Sequence, residues 1–195
     1  MTTSMTKLNY FILYLLLSLT GCQSSDMKQY KLLVEKELKS KKKVNDIFFG
    51  ISLGMTSKDF YVQCWNKNKE GLFTDGSGNT SVLYKLNEKP VRHPVEMNFY
   101  PEFYDGRIRN MWVKFQYAGW MPGNKELGSD YLLEDVLKVY KDWYPGGNPF
   151  IEIKDDEKGT IYVKVDGNRR IIIGRYDDVQ VKADYTGLSV KEKKK

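Results

Sequence analysis

The most restrictive feature of this chain is how little sequence separates its apolar, alternating runs. Val95–Tyr100 places Val95, Met97 and Phe99 on one side, and Ile108–Tyr117 does the same with Met111, Val113, Phe115 and Tyr117. Between them stands Tyr104-Asp105-Gly106-Arg107, and Asp-Gly flanked by alternating runs predicts a tight hairpin. Ile108 has the opposite parity to Met111, which a bulge near Asn110 would reconcile. Ser81–Leu86, Phe150–Lys154, Thr160–Val165, Arg170–Arg175 and Val179–Ala183 read as further strands. The turns in the second half are short, such as Asp166-Gly167-Asn168. Parallel neighbours need crossovers of about a dozen residues, so such strands must pair antiparallel.

Two helices interrupt the strands. Thr56 and Asp59 have the spacing of a capping box and open a helix to about Asn68, with Phe60 and Cys64, and Tyr61 and Trp65 beside them, as its buried face. Ser129 is placed to cap the second, whose stripe runs through Leu133, Val136, Leu137, Tyr140 and Tyr144 before Pro145-Gly146-Gly147 stops it. The order is helix, three strands, helix, three or four strands. This predicts an α+β fold, antiparallel sheet with helices packed on one face. The pattern fits either one continuous sheet or a tandem repeat with halves 46–120 and 121–190. Upstream, residues 22–45 are polar and Lys-rich, and Met27, Tyr30, Val34 and Leu38 form only a thin helical stripe, so a partly helical tether is expected before a folded module at 46–190. Residues 191–195 are a solvated charged tail.

The N-terminus carries the clearest functional signal. Lys7 precedes an apolar run of 12 positions, Leu8 to Leu19, too short for the roughly 20 residues of a membrane-spanning helix. The run ends in Leu19-Thr20-Gly21-Cys22, which resembles the lipobox of bacterial lipoproteins. The resemblance implies that residues 1–21 are a signal peptide, that Cys22 is acylated on its thiol, and that the mature chain is held at a membrane by several acyl chains. Gln23 rather than Asp follows the Cys, which in the sorting rule of such lipoproteins points to the outer membrane over the inner.

Composition narrows the partners. The full chain has 31 Lys plus Arg against 25 Asp plus Glu. Without Lys7 of the signal peptide the balance falls from +6 to +5, of which Lys39–Lys43 and Lys191–Lys195 carry +4 and +3, so the rest is −2. A basic face for nucleic acid is therefore not expected. With Cys22 acylated, Cys64 is the one remaining thiol, so no intramolecular disulfide forms. One His, His93, and one free Cys cannot assemble an ordinary zinc site, and neither residue sits in a nucleophile motif. Asp75-Gly76-Ser77-Gly78-Asn79 begins like a calcium loop but has Thr80 and Leu86 where Gly and Glu are required. No cofactor or metal is expected, and catalysis is disfavoured.

Gly50-Ile51-Ser52-Leu53-Gly54-Met55-Thr56-Ser57-Lys58-Asp59-Phe60 resembles the opening of the first helix in small outer-membrane-assembly lipoproteins and in the β-lactamase-inhibitor-like fold they share. That resemblance implies helices on an antiparallel sheet, sometimes in tandem, and protein binding as the role. The aromatic hairpin supplies the candidate partner-binding residues Tyr104, Trp112 and Trp120, because exposed Trp and Tyr anchor interfaces. The expectation is thus a non-catalytic envelope lipoprotein that binds a protein partner. A glycan-binding module or hydrolase, using Asp155, Asp156 and Trp120, is the alternative.

Overall fold

The structure, a computed structural model, describes residues 25–76, 78, 80–155 and 159–188. The expected signal peptide, Cys22, Asp156 and the charged tail lie outside these residues. Among those described are three α-helices, α1 (Ser25–Lys39), α2 (Ser57–Lys69) and α3 (Ser129–Trp143). The same described residues hold eight strands: β1 (Phe73–Asp75), β2 (Val82–Leu86), β3 (Val95–Tyr104), β4 (Arg107–Tyr117), β5 (Ile151–Asp155), β6 (Gly159–Asp166), β7 (Arg169–Arg175) and β8 (Val181–Gly187). They form one antiparallel sheet in the order β1-β2-β3-β4-β8-β7-β6-β5. The fold is α+β, as the turn spacing requires. Each half is a helix followed by a four-strand meander, and the halves join last strand to last strand, with Met111 opposite Tyr185 and Phe115 opposite Val181. One apolar core runs through both halves, so they are one body.

Local chemistry explains the elements. The β3–β4 turn puts Asp105 and Gly106 at φ +49° and +69°, the two left-handed positions that an Asp-Gly hairpin supplies. Glu102 pairs with Asn110 but Phe103 with Ile108, so Arg109 is the extra residue that returns Ile108 to the core. Thr56 caps α2 by accepting the Asp59 N–H at 3.1 Å. Ser129 differs from expectation. Gly128 is the N-cap of α3, and Ser129 is buried with its hydroxyl accepting from Arg175 Nε at 2.8 Å.

Helices α2 and α3 share one face of the sheet. Val113, Ala183 and Ile173 stand opposite one another across β4, β8 and β7 and belong to the core beneath α3. Phe48, from the loop before α2, plugs this core with its ring centroid 4.9 Å from Phe99 and 5.7 Å from Tyr185. Helix α1 lies on the other face. There Ile172 stands opposite Val163 and Val163 opposite Ile151, and these pack with Ile153 and Val165 against Met27, Tyr30, Leu33 and Val34. The stretch read as a tether is therefore a docked helix, with Leu33 in its inner stripe and Leu38 turned outward at 39% exposure.

A polar clasp at the β6–β7 turn holds this arrangement. Glu37 accepts from the Gly167 N–H at 2.7 Å and from Asn148 Nδ2 at 2.9 Å. The Gly167 hydrogen bond, then the Asn148 one, hold the Glu37 carboxyl below its usual range. Asn168 accepts from the Val44 N–H at 2.8 Å and donates to Asn45 at 2.9 Å. Beneath them Asp166 lies 3.3 Å from both Lys164 and Arg169, all three nearly solvent-free, and Arg169 donates to the Asp46 carbonyl at 2.6 Å. Gly167 has φ +55°, and a Cβ there would run into the Lys42 carbonyl. Gly167→Ala should therefore cost about 1–3 kcal/mol in chemical denaturation. Gly146→Ala, whose Cβ would meet nothing, should stay within about 0.5 kcal/mol of wild type.

Candidate functional site

Helix α2 buries only Phe60 fully, and it turns two aromatic side chains outward beside a depression. Tyr61 is 52% and Trp65 61% exposed, on the side of α2 that faces the sheet margin. This corrects the expectation that both belong to the buried face. Phe60 and Cys64 recur at i and i+4, and so do Tyr61 and Trp65, and the sheet covers only the first of these adjacent stripes. Strand β2 stops pairing at Val82 opposite Phe99, so Tyr100 to Tyr104 of β3 have no β2 partner. Between α2 and the resulting step lies a groove of about 690 Å³, walled by Tyr61, Trp65, Asn68, Thr74, Val82 and Tyr100. Tyr61 and Tyr100 join hydroxyls across its end at 2.7 Å. That bond, and then burial, hold Tyr100 up to about 12. Asn68 donates to the Phe73 carbonyl at 2.8 Å, while Lys69 sits 5.3 Å over the Trp65 ring.

The groove is suited to binding, not to nucleophilic chemistry. Cys64, at its base, is half-buried, and burial pushes its thiol up to about 12, so at neutral pH it is a protonated, weakly polar wall. His93 does not approach it. His93 precedes β3 and packs edge-on to Tyr117 at 5.5 Å, whereas the groove lies at the far end of β3. Tyr117 donates to the fully buried Asp135 at 2.8 Å, and the Arg92 N–H does so at 2.7 Å. These bonds dock α3 on the loop before β3, and burial, followed by the Asp135 bond, raises the Tyr117 pKa. Among the described residues no three His, Cys, Asp or Glu side chains gather as metal ligands.

The residues singled out from the sequence are spread over the length of the β3–β4 hairpin and beyond it. Tyr104, opposite Arg107, lines a depression of about 480 Å³ at the hairpin tip, its ring 5.4 Å from the Arg109 guanidinium. Trp112 is half-buried on the outer sheet face and is the cross-strand neighbour of Tyr100, so it stands behind the groove wall. Trp120 is 39% exposed beyond the other end of β4. Arg107 and Tyr117 are ten residue steps apart, about 33 Å of strand, so Tyr104 and Trp120 do not form one site. Asp155 closes β5, at the edge of the sheet. Strands β4 and β5 are four inter-strand steps apart, about 19 Å.

The Cys64 environment has a direct consequence. At pH 8 its alkylation by a small haloacetamide, followed by mass spectrometry, should run at least about tenfold slower than that of free cysteine, and a rate near the free thiol would contradict the buried position.

No family model, no curated protein and no solved structure matches this chain, so its fold and its groove stand on their own geometry.

Proposed function

We propose that this chain is a cell-envelope lipoprotein, anchored through acylated Cys22 at the outer membrane, whose folded body is a non-catalytic module that binds a protein partner. The anchor reading rests on Leu19-Thr20-Gly21-Cys22 and on the short apolar run before it. It is compatible with helices that, among the described residues, are nowhere long and apolar enough to cross a membrane. The binding reading is carried by one observation: Tyr61 and Trp65 stand more than half exposed at the rim of a groove beside a sheet step. Large aromatic rings held out to water on a rigid helix cost solvation that a partner's apolar side chain would recover, which is how interface anchors work. The inert Cys64 thiol at the groove base favours binding over covalent catalysis.

Crosslinking in intact cells followed by purification of the lipidated protein tests this reading. Tyr61→Ala/Trp65→Ala should leave the melting temperature within a few degrees of wild type, because both rings are exposed, yet lower partner recovery at least about fivefold. Trp112→Ala/Trp120→Ala should retain the partner. Loss confined to that second variant would move the interface to the aromatic hairpin, and unchanged recovery with the first would remove the groove. Fatty-acid labelling should vanish in Cys22→Ala, and persistent label would overturn the anchor.

A further inference from the structure

The side of α1 turned away from the sheet has a composition of its own. Lys28, Leu32 and Lys36 recur at i, i+4 and i+8, with Lys39 on the same line of the helix. Leu32 is 67% exposed, an apolar side chain in the middle of a lysine stripe. Lys31 on α1 and Lys41, Lys42 and Lys43 just beyond its end are exposed as well. Of the three carboxylates between residues 25 and 43, Glu37 is turned inward onto Gly167 and Asp26 is half-buried, leaving Glu35 as the outward one, 3.8 Å from Lys39. Lysines lining one face of a helix are attracted to anionic headgroups, and an exposed Leu among them adds an apolar side chain that can enter the interface.

We propose that this outer face of α1 rests on anionic phospholipid headgroups, with Leu32 dipping between them, so that the folded body lies against the membrane rather than at the end of a stalk. The proposal rests on the lipid-anchor reading of Cys22. Only two residues, Gln23 and Ser24, separate Cys22 from the start of α1, three Cα steps or at most about 10 Å of extended chain, and α1 is fixed to the sheet by its inner stripe and by Glu37. A lipid on Cys22 therefore brings the N-terminal end of α1, with Lys28, within a helix diameter of the bilayer, and attraction of Lys36 and Lys39 to anionic headgroups then lays the rest of the 15-residue helix along the surface. Orientation follows. The α1 side of the sheet faces the membrane, while α2 and its groove, on the opposite face, point to where a partner approaches.

The test uses the lipidated full chain reconstituted in vesicles, carrying a photoreactive benzophenone amino acid in place of Leu32 or, on α2, of Val62, which is 51% exposed. Fatty-acid label on Cys22 is followed in the same samples. In phosphatidylcholine vesicles containing phosphatidylglycerol, position 32 should form lipid adducts and position 62 should not. Omitting phosphatidylglycerol, or introducing Lys28→Glu/Lys36→Glu/Lys39→Glu, should lower capture at 32 at least about fivefold with the helix content unchanged. Equal capture at both positions, capture indifferent to charge, or no capture at 32 with Cys22 labelled would overturn the proposal while leaving the anchor intact. Absence of fatty-acid label on Cys22 would remove the anchor itself.

Discussion

The turn between β6 and β7 carries more of this fold than its two residues suggest. Gly167 and Asn168 present backbone and side-chain polar groups at the end of the sheet, and Glu37, Val44 and Asn45 bond to them from the N-terminal segment. Buried Asp166 beneath them is compensated by Lys164 and Arg169, whose removal would leave a charge in a site with almost no solvent. Arg169 in turn reaches the Asp46 carbonyl and stacks 4.6 Å from the Tyr144 ring, linking the clasp to Ile47 and Phe48, which enter the core. One polar knot thus fixes α1 on one face of the sheet and the core plug on the other.

Much of the fold is legible in the residues themselves. The β3–β4 hairpin, its bulge and the α2 cap are local matters, decided by Asp105-Gly106, by the parity of Ile108 and by the Thr56-to-Asp59 spacing. Strand β1 escapes because three residues give no periodicity to read. The role of α1 escapes for a longer-range reason. Its inner stripe is thin, and the complementary apolar surface comes from strands more than a hundred residues downstream. A signal exists in those strands. Ile171, Ile172 and Ile173 are consecutive, so β7 is apolar on both sides there, and Ile161, Val163 and Val165 give β6 an apolar stripe on the α1 side, as strands covered on both faces show.

The candidate site was the less readable part. Aromatic density along the β3–β4 hairpin is real, but Tyr104, Trp112 and Trp120 are separated by the length of β4. The groove depends instead on where β2 ends relative to β3 and on which of two adjacent stripes of α2 the sheet covers. Neither is set by spacing within one segment, since both follow from register between segments. The outcome is a separation of two surfaces by sheet face. The lysine-rich side of α1 and the aromatic groove of α2 lie on opposite faces, which suits a body held to a surface on one side and engaged by a partner on the other.

Docking of α1 is the claim on which this division rests, and amide hydrogen exchange tests it most directly. An isolated helix of this length is marginal in water, so protection of α1 requires its contacts with β5 and β6 and the Glu37–Gly167 bond. In the intact chain at neutral pH, amides from Leu33 to Leu38 should exchange at least about a hundredfold slower than an unstructured peptide, alongside those of β5. Exchange of that stretch at unstructured rates, with the sheet still protected, would show a free tether and contradict the account.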